Sequence, residues 1–287
     1  MSADGLLTID TSTAVQSVAA MGPWGRMAVS VRDVGHRHAE NLADQVAAVL
    51  AEAEMDHCAR IVCGVGPGPF SGLRVGLAYA TSLALAWRAR GHACQAQGLV
   101  SLDAAAANFP PPADGSAEAT SPAEATSPAE ATSPAAATSP AVDSPQGEPH
   151  DAPTGSPPQL IVSSDARRRE RYWGRYEWSE PSGWARVLGP RIAPAADVVG
   201  WAGTAVLTED LLDPQDCLAV GLIRLAGRGW PLARTDDYTL DARHGDGSAA
   251  TQVPVGVMLP CVPVYLRRPD AVPPAQADAG HAAVTSP

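Results

Sequence analysis

Between Gly64 and Gly76 the chain reads GVGPGPFSGLRVG. Glycine opens backbone conformations closed to other residues, and proline fixes φ while removing a hydrogen-bond donor. Crowded together, they force a tight turn. RIVCGVG before the turn reads as a buried strand, and SGLRVGLAYATSLALAWRARG behind it as an Ala-rich helix. Such a turn can cradle a phosphate on the N–H groups of the helix start, or it can bring a helix close to a neighbouring strand. The structural reading is preferred. Gly66, Pro67 and Gly68 turn the chain out of the strand, Ser71 caps the helix, and Gly72 and Gly76 keep its first turns thin enough for close packing.

Composition changes abruptly after Asn108. Residues 109–158 are almost entirely Ala, Pro, Ser, Thr, Glu, Asp and Gly, with AEATSP repeated in succession and then AAATSP. With hardly any large apolar side chains, this segment cannot offset its ordering entropy, and its regular prolines break helices. It is expected to be a disordered linker between a first globular part, 1–108, and a second, 159–271. Residues 272–287 read as a disordered tail. In the first part LLTIDTST, VQSVAAM and RMAVSVRD read as strands, with GPWG a hairpin turn between the last two. HAENLADQVAAVLAEAEM follows as a helix with Leu42, Val46, Val49, Leu50 and Ala53 on one stripe. The expected order is three strands, helix, strand, helix, strand, helix. In the second part QLIVSSDA reads as a strand and RRRERYWGRYEWSE as a hairpin. AVLTED, CLAVGLIRLAGRG and PVYLRRPD suggest strand, helix and a terminal extended segment.

A net charge of −11 argues against a broad nucleic-acid surface, which needs clustered Lys and Arg. Five cysteines without a Cys-x-x-Cys pair suit scattered thiols in a reducing compartment. No secretory signal pattern opens the chain, and the apolar run LAYATSLALAW is too short to cross a bilayer. A soluble, cytoplasmic protein without a membrane partner is expected.

Each half starts with a strand ending at an aspartate, with a meander behind it. Two such halves predict a duplicated α/β architecture, the plan of the actin-like ATPase and sugar-kinase superfamily, which holds nucleotide between its lobes. LTIDTSTAVQSVAA, GVGPGPFSGLRVGLAYATSLALA, VSLDAAAA, SSDARRRERYWGRYEW and PVYLRRPD, in that order, resemble the bacterial TsaB (YeaZ) family. The resemblance covers nearly all of both globular parts. It implies a two-lobed actin-like fold (ASKHA, ribonuclease H-like) of duplicated sheet-plus-helices units. It also implies a non-catalytic scaffold rather than a stand-alone enzyme. Proteins of this family pair with a catalytic paralogue, TsaD, and work with the ATPase TsaE. TsaD places a threonylcarbamoyl group on the adenosine beside the anticodon of tRNAs reading codons that start with A. Contact with tRNA would then be indirect, through the complex, and the isolated chain would form homodimers. This sequence departs from the family in the AEATSP insertion, and in carrying Pro69 and Ser71 where the family usually has Ser and Thr.

The residues themselves make a weak case for catalysis. Asp10, Thr11 and Ser12 are candidates for a first phosphate loop, being small and polar. The matching loop of the second half, Asp165-Ala166-Arg167-Arg168, has no glycine where a backbone must approach phosphate closely. An independent actin-fold ATP-dependent phosphotransferase is therefore the alternative rather than the preferred function. His36 and His38 are two apart, not the four that puts two imidazoles on one helix face, so neither a metal nor the glycopeptidase activity once attached to this superfamily is expected. Ser71 lies in no Gly-x-Ser-x-Gly elbow. No cofactor is expected.

The two helices of the first part are apolar on more than one face, which calls for burial on more than one side. Ala39, Ala43 and Ala47 line one smooth face. With Leu73, Leu77, Tyr79 and Ala84 they are the expected partner interface, which the resemblance makes a helical bundle with TsaD. Arg167, Arg168, Arg169, Arg171 and Arg175 interleave with Tyr172, Trp173, Tyr176 and Trp178. A solvated strand face with the aromatics turned inward is preferred there over direct RNA contact.

Overall fold

Strand β1 (Leu6–Asp10) is buried along its whole length, because it lies mid-sheet with helices on both faces. The computed structural model describes residues 5–35, 37–112, 157–199, 204–229 and 256–266. After β1 come β2 (Val15–Met21), β3 (Met27–Asp33), α1 (His38–Glu52), β4 (Arg60–Gly64), α2 (Phe70–Ala89), β5 (Gln95–Leu99) and α3 (Ser101–Asn108). This is the order expected from the sequence. The α1 stripe Leu42, Val46, Val49 and Ala53 is buried as the periodicity requires.

The second half forms β6 (Gln159–Asp165), β7 (Glu170–Ser179), β8 (Gly183–Pro194), α4 (Ala195–Val199), β9 (Thr204–Leu207), α5 (Leu218–Ala226) and β10 (Leu259–Pro260). Two sheets result, β10-β5-β4-β1-β2-β3 and β8-β7-β6-β9. In the first, β1 pairs antiparallel with β2 and parallel with β4. In the second, β6 pairs antiparallel with β7 and parallel with β9. Each sheet is thus an antiparallel meander extended on the parallel side, by β4 and β5 in the first and by β9 in the second, and the duplicated α/β plan is present in the topology itself.

Residues 167–180 do not make the hairpin of their own that the sequence led one to expect. Arg167, Arg168 and Arg169 take left-handed φ values of 62, 55 and 63°, turning the chain tightly after β6. The alternation behind them then runs on as the single strand β7, which pairs with β6 on one side and β8 on the other. Tyr172, Trp173 and Tyr176 are buried. Arg171 and Arg175 are half-buried, and Arg167–Arg169 are exposed.

Two elements of the second half return to the first sheet. β10 adds to the free edge of β5, and α5 covers the face opposite α1 and α2. Every residue of α5 except Arg224 is buried. Thr8 of β1 donates its hydroxyl to the Ala219 carbonyl (2.8 Å), and the Ala219 N–H donates to Ser17 Oγ (3.1 Å). Gly221 lets α5 cross the α3 backbone at Ala104, where any side chain would collide. The division at 109–158 therefore does not separate the two layers. Of that segment, 113–156 lies outside the described residues, as does the expected tail.

The two sheets are joined by one buried ion pair. Asp103 on α3 accepts from Arg186 of β8 through Nε (2.8 Å) and Nη2 (3.2 Å), and from the Tyr176 hydroxyl of β7 (2.7 Å). The remaining Arg186 edge donates to the Gly189 carbonyl (2.6 Å). Burial alone would lower the Arg186 pKa, but the Asp103 charge and hydrogen bonds outweigh it and raise the value. Burial first, and the Asp103 charge second, push the Tyr176 hydroxyl well up. Removing one partner strands the other's charge in the interior, which costs about 3–5 kcal/mol. Asp103→Ala is expected to lose stability in that range by urea denaturation. Asp103→Leu combined with Arg186→Met should lose less than either single truncation.

Candidate functional site

Ligands of open α/β sheets bind beyond the carboxyl ends of the parallel strands. Here the ends of β1 and β4 lie side by side, which brings Asp10–Thr13 against the Gly64–Gly76 turn. Asp10 is completely buried. Its Oδ1 accepts from the Ser12 N–H (2.8 Å) and the Ser12 hydroxyl (2.6 Å), and its Oδ2 from the Ser101 hydroxyl (2.7 Å). Burial pushes the carboxyl pKa up, and the Ser12 and Ser101 hydrogen bonds only partly counter it. Thr11 donates its hydroxyl to the Gly72 carbonyl (2.8 Å). Asp10, Thr11 and Ser12, the phosphate-loop candidates, are all consumed by internal bonds.

The glycine-rich turn fills the space above them. Gly66, at φ +95°, begins a reversal that proceeds through a cis bond to Pro67. A Cβ on Gly68 would fall within 3.0 Å of three backbone atoms of Ser12, and one on Gly72 would lie 2.5 Å from the Thr11 carbonyl oxygen. Gly76 likewise abuts the Thr11 side chain. The turn's own backbone thus occupies the place above β1 where a ligand would sit. Ser71 does not cap α2. The helix begins at Phe70 with Pro69 as N-cap and without a side-chain cap bond, so Ser71 already lies in the first turn, exposed.

Between the two halves a cleft of about 80 Å³ remains, lined by Thr13, His38, Ser71, Asp165, Arg167 and Glu209 among others. Pockets that enclose small organic ligands run from about 300 to 1,000 Å³, so the cleft as it stands is smaller than a nucleotide needs. Its far wall is braced internally. Glu209 accepts from the Asp165 N–H and from Arg171 (2.9 Å), and the Arg167 N–H donates to Asp165 Oδ1 (2.9 Å). His38 Nδ1 meets Gln16 Oε1 at 3.1 Å, Gln16 donates to Gln45 Oε1 (2.6 Å), and Gln45 donates to the Ser30 carbonyl (2.8 Å). This polar chain ties α1 to β2 and β3. Its sequence signal was Gln16, a polar residue inside an apolar strand. Nothing in the sequence marked Glu209 or Ser101.

His36 lies outside the described residues. Among the described residues, no group of three or more His, Cys, Asp or Glu could hold a metal ion, and no helix is long and apolar enough to cross a membrane.

The expected interface residues part company. Ala39, Ala43 and Ala47 stand exposed on α1, beside Ala48 and Ala51. Leu73, Leu77 and Ala84 instead face the sheet, at 0, 4 and 1% exposure, and are core residues. With Ala80 and Trp87 they form a stripe at helical spacing, and their bulk settles which side of α2 covers the sheet. Tyr79 is half-buried against the same core. The outward face of α2 carries Ala78, Ser82, Ala86 and Leu85, the last 60% exposed.

Residues 31–94, from β3 through α2 to the start of β5, match the family model described as TsaD: tRNA N6-adenosine threonylcarbamoyltransferase. YeaZ from Pseudomonas aeruginosa superposes on the chain with a TM-score of 0.54 at 21% identity, covering 92% of this chain and 100% of that one. This is the YeaZ fold. A second Pseudomonas aeruginosa structure, an uncharacterized protein described as similar to peptidase YeaZ, gives 0.55 at 22% identity with the same coverage. An uncharacterized protein of Mycobacterium leprae is 29% identical over 279 residues, 93% of this chain, which spans only 56% of that relative's length. One from Mycobacterium tuberculosis is 28% identical over 249 residues, 82% of this chain and 78% of its own. The YeaZ fold therefore accounts for both sheets, and the matched segment takes in α1, β4 and α2.

Gly68→Ala and Gly72→Ala each press a methyl group onto backbone that has nowhere to go. Each is expected to cost about 1–3 kcal/mol in denaturant unfolding. Asp10 gives a pH signature of definite sign. Its folded pKa is raised, so the stability from its proton is full below the ordinary carboxyl value of 3.8 and fades as pH rises through the folded pKa. Asp10→Asn removes that fading. The stability difference between variant and parent should shift toward the variant as pH rises above about 4, read from urea midpoints across a pH series.

Proposed function

We propose that the chain is a non-catalytic scaffold of TsaB type, which activates a TsaD-like subunit in tRNA threonylcarbamoylation. The observation that carries this reading is the loop after β1. Asp10, Thr11 and Ser12 spend their hydrogen bonds internally, and Gly68 and Gly72 bring backbone into the space above them. The loop after β6 adds support, with arginines where a phosphate grip needs glycine, and so does the 80 Å³ cleft between them. Catalysis then belongs to the partner, with a TsaE-like ATPase supplying nucleotide hydrolysis and tRNA reached through the assembly in the cytoplasm.

Partner binding is assigned to the outward faces of α1 and α2, built from Ala39, Ala43, Ala47, Ala78 and Leu85, with Tyr79 at the edge. Small side chains let a facing helix approach closely, and Leu85 supplies a protruding anchor. In the absence of TsaD the same face would pair two copies of the chain. Reconstitution tests the reading. This protein, added to TsaD and TsaE with threonylcarbamoyl-adenylate, ATP and tRNA, is expected to stimulate tRNA modification, and no stimulation overturns the scaffold role. Ala47→Glu and Leu85→Glu should each weaken co-purification with TsaD at least about tenfold with the circular dichroism unchanged. Retention of binding by both variants would place the interface elsewhere.

A further inference from the structure

Two cysteines far apart in the chain lie under the same turn of α2. Cys63 is the fourth residue of β4, completely buried, with its sulfur beside Gly76. Cys261 follows β10, is partly exposed, and its thiol points at the Leu77 carbonyl at 3.9 Å. Gly76 and Gly98 carry no side chains between β4, α2 and the returning segment, and a Cβ on Gly98 would strike Val65 and the Pro260 carbonyl. We propose that Cys63 and Cys261 form a redox-active dithiol, closed to a disulfide by a peroxide, which fastens the C-terminal return segment to the centre of the first sheet.

The chemistry assigns each sulfur a part. A hydrogen bond from the Cys63 thiol holds Cys261 below the usual thiol pKa, and the same bond, together with burial, pushes Cys63 well up. Cys261 is thus both the reachable sulfur and the better thiolate. Its thiolate attacks the peroxide, the O–O bond breaks, and with one proton taken up the products are a Cys261 sulfenic acid and one water. The Cys63 sulfur then displaces the sulfenic hydroxyl, forming the S–S bond. The Cys63 proton leaves with that hydroxyl as a second water. Two thiols lose two electrons and two protons, and the peroxide is reduced to two waters.

A neighbouring pair is the internal control. Cys58 and Cys94 also interact, but both are buried, at 1 and 2% exposure, and burial pushes both thiols up. They should stay reduced under conditions that close the first pair. β10 pairs over only two residues, so a covalent link closing a loop of about 200 residues has a large effect on its opening.

The test uses the full-length chain, treated with graded hydrogen peroxide, quenched with iodoacetamide, and followed by intact mass and peptide mapping. The expected result is a loss of about 2 Da, a Cys63–Cys261 cross-linked peptide, reversal by dithiothreitol, and a Tm higher by about 5 °C or more in the oxidised form. Cys261→Ser should abolish the cross-link, and Cys58→Ser should leave it intact. Cys63→Ser risks the core, so the more exposed Cys261→Ser carries the comparison. Recovery of Cys261 as sulfinic acid with Cys63 still open to alkylation after unfolding overturns the proposal. So does a Cys58–Cys94 link that forms first, or a cross-link seen only in denaturant.

Discussion

The Asp103 carboxylate lies at the seam between the two sheets, and both sheets depend on it for their mutual placement. It receives a guanidinium from β8 and a phenol from β7 while riding on α3, which packs directly against α5. Few other groups could do this. An apolar contact would hold the halves together without fixing their angle, whereas a two-point guanidinium–carboxylate pair sets direction as well as distance. Because the pair is nearly fully desolvated, with side-chain exposures of 2 and 10%, its members tolerate loss of each other poorly.

The cleft between the two halves is narrow on both sides for the same reason. Each loop that could reach a ligand has been turned back on its own structure. On one side a helix start presses glycines onto Thr11 and Ser12, and on the other Glu209 gathers Asp165 and Arg171. The space is lined with polar groups, but most serve neighbours within the chain. The residues that face the cleft are thus spent on internal packing and hydrogen bonds, while Leu85 stands 60% exposed on the outside of α2.

The first half of the fold was legible because its strands are continuous apolar runs and its helices have clean stripes. The second half was less so. Three consecutive left-handed arginines gave no turn signal, since glycine and asparagine are the residues that advertise such a backbone. Which faces of α1 and α2 are exposed was half-legible. On α1 only one side carries bulk, so the alanines had to face outward. On α2 leucines occur on two sides, and the choice between them was made by the sheet, which took Leu73, Leu77 and Trp87 and left Leu85. Ser71 misled because a serine after a turn resembles a cap, yet Pro69 already holds that position. The aspartate at the end of β1 was visible; that Ser101, 91 residues later, would donate a hydrogen bond to it was not, because long-range hydrogen bonds leave no local trace.

The return of α5 and β10 to the first sheet has a consequence for how the protein is made. Thr8, deep in the opening strand, directs its hydroxyl to the Ala19 carbonyl of the neighbouring strand (3.2 Å) and more closely to the distant Ala219 carbonyl (2.8 Å), and among the described residues Leu259 and Pro260 cover the edge of β5. While the chain is still emerging from the ribosome, the sheet formed by its first hundred residues therefore has one bare apolar face and one open edge. The first sheet is completed by elements from the second half of the fold. The nascent N-terminal half has to be kept from other chains until α5 and β10 arrive to cover it.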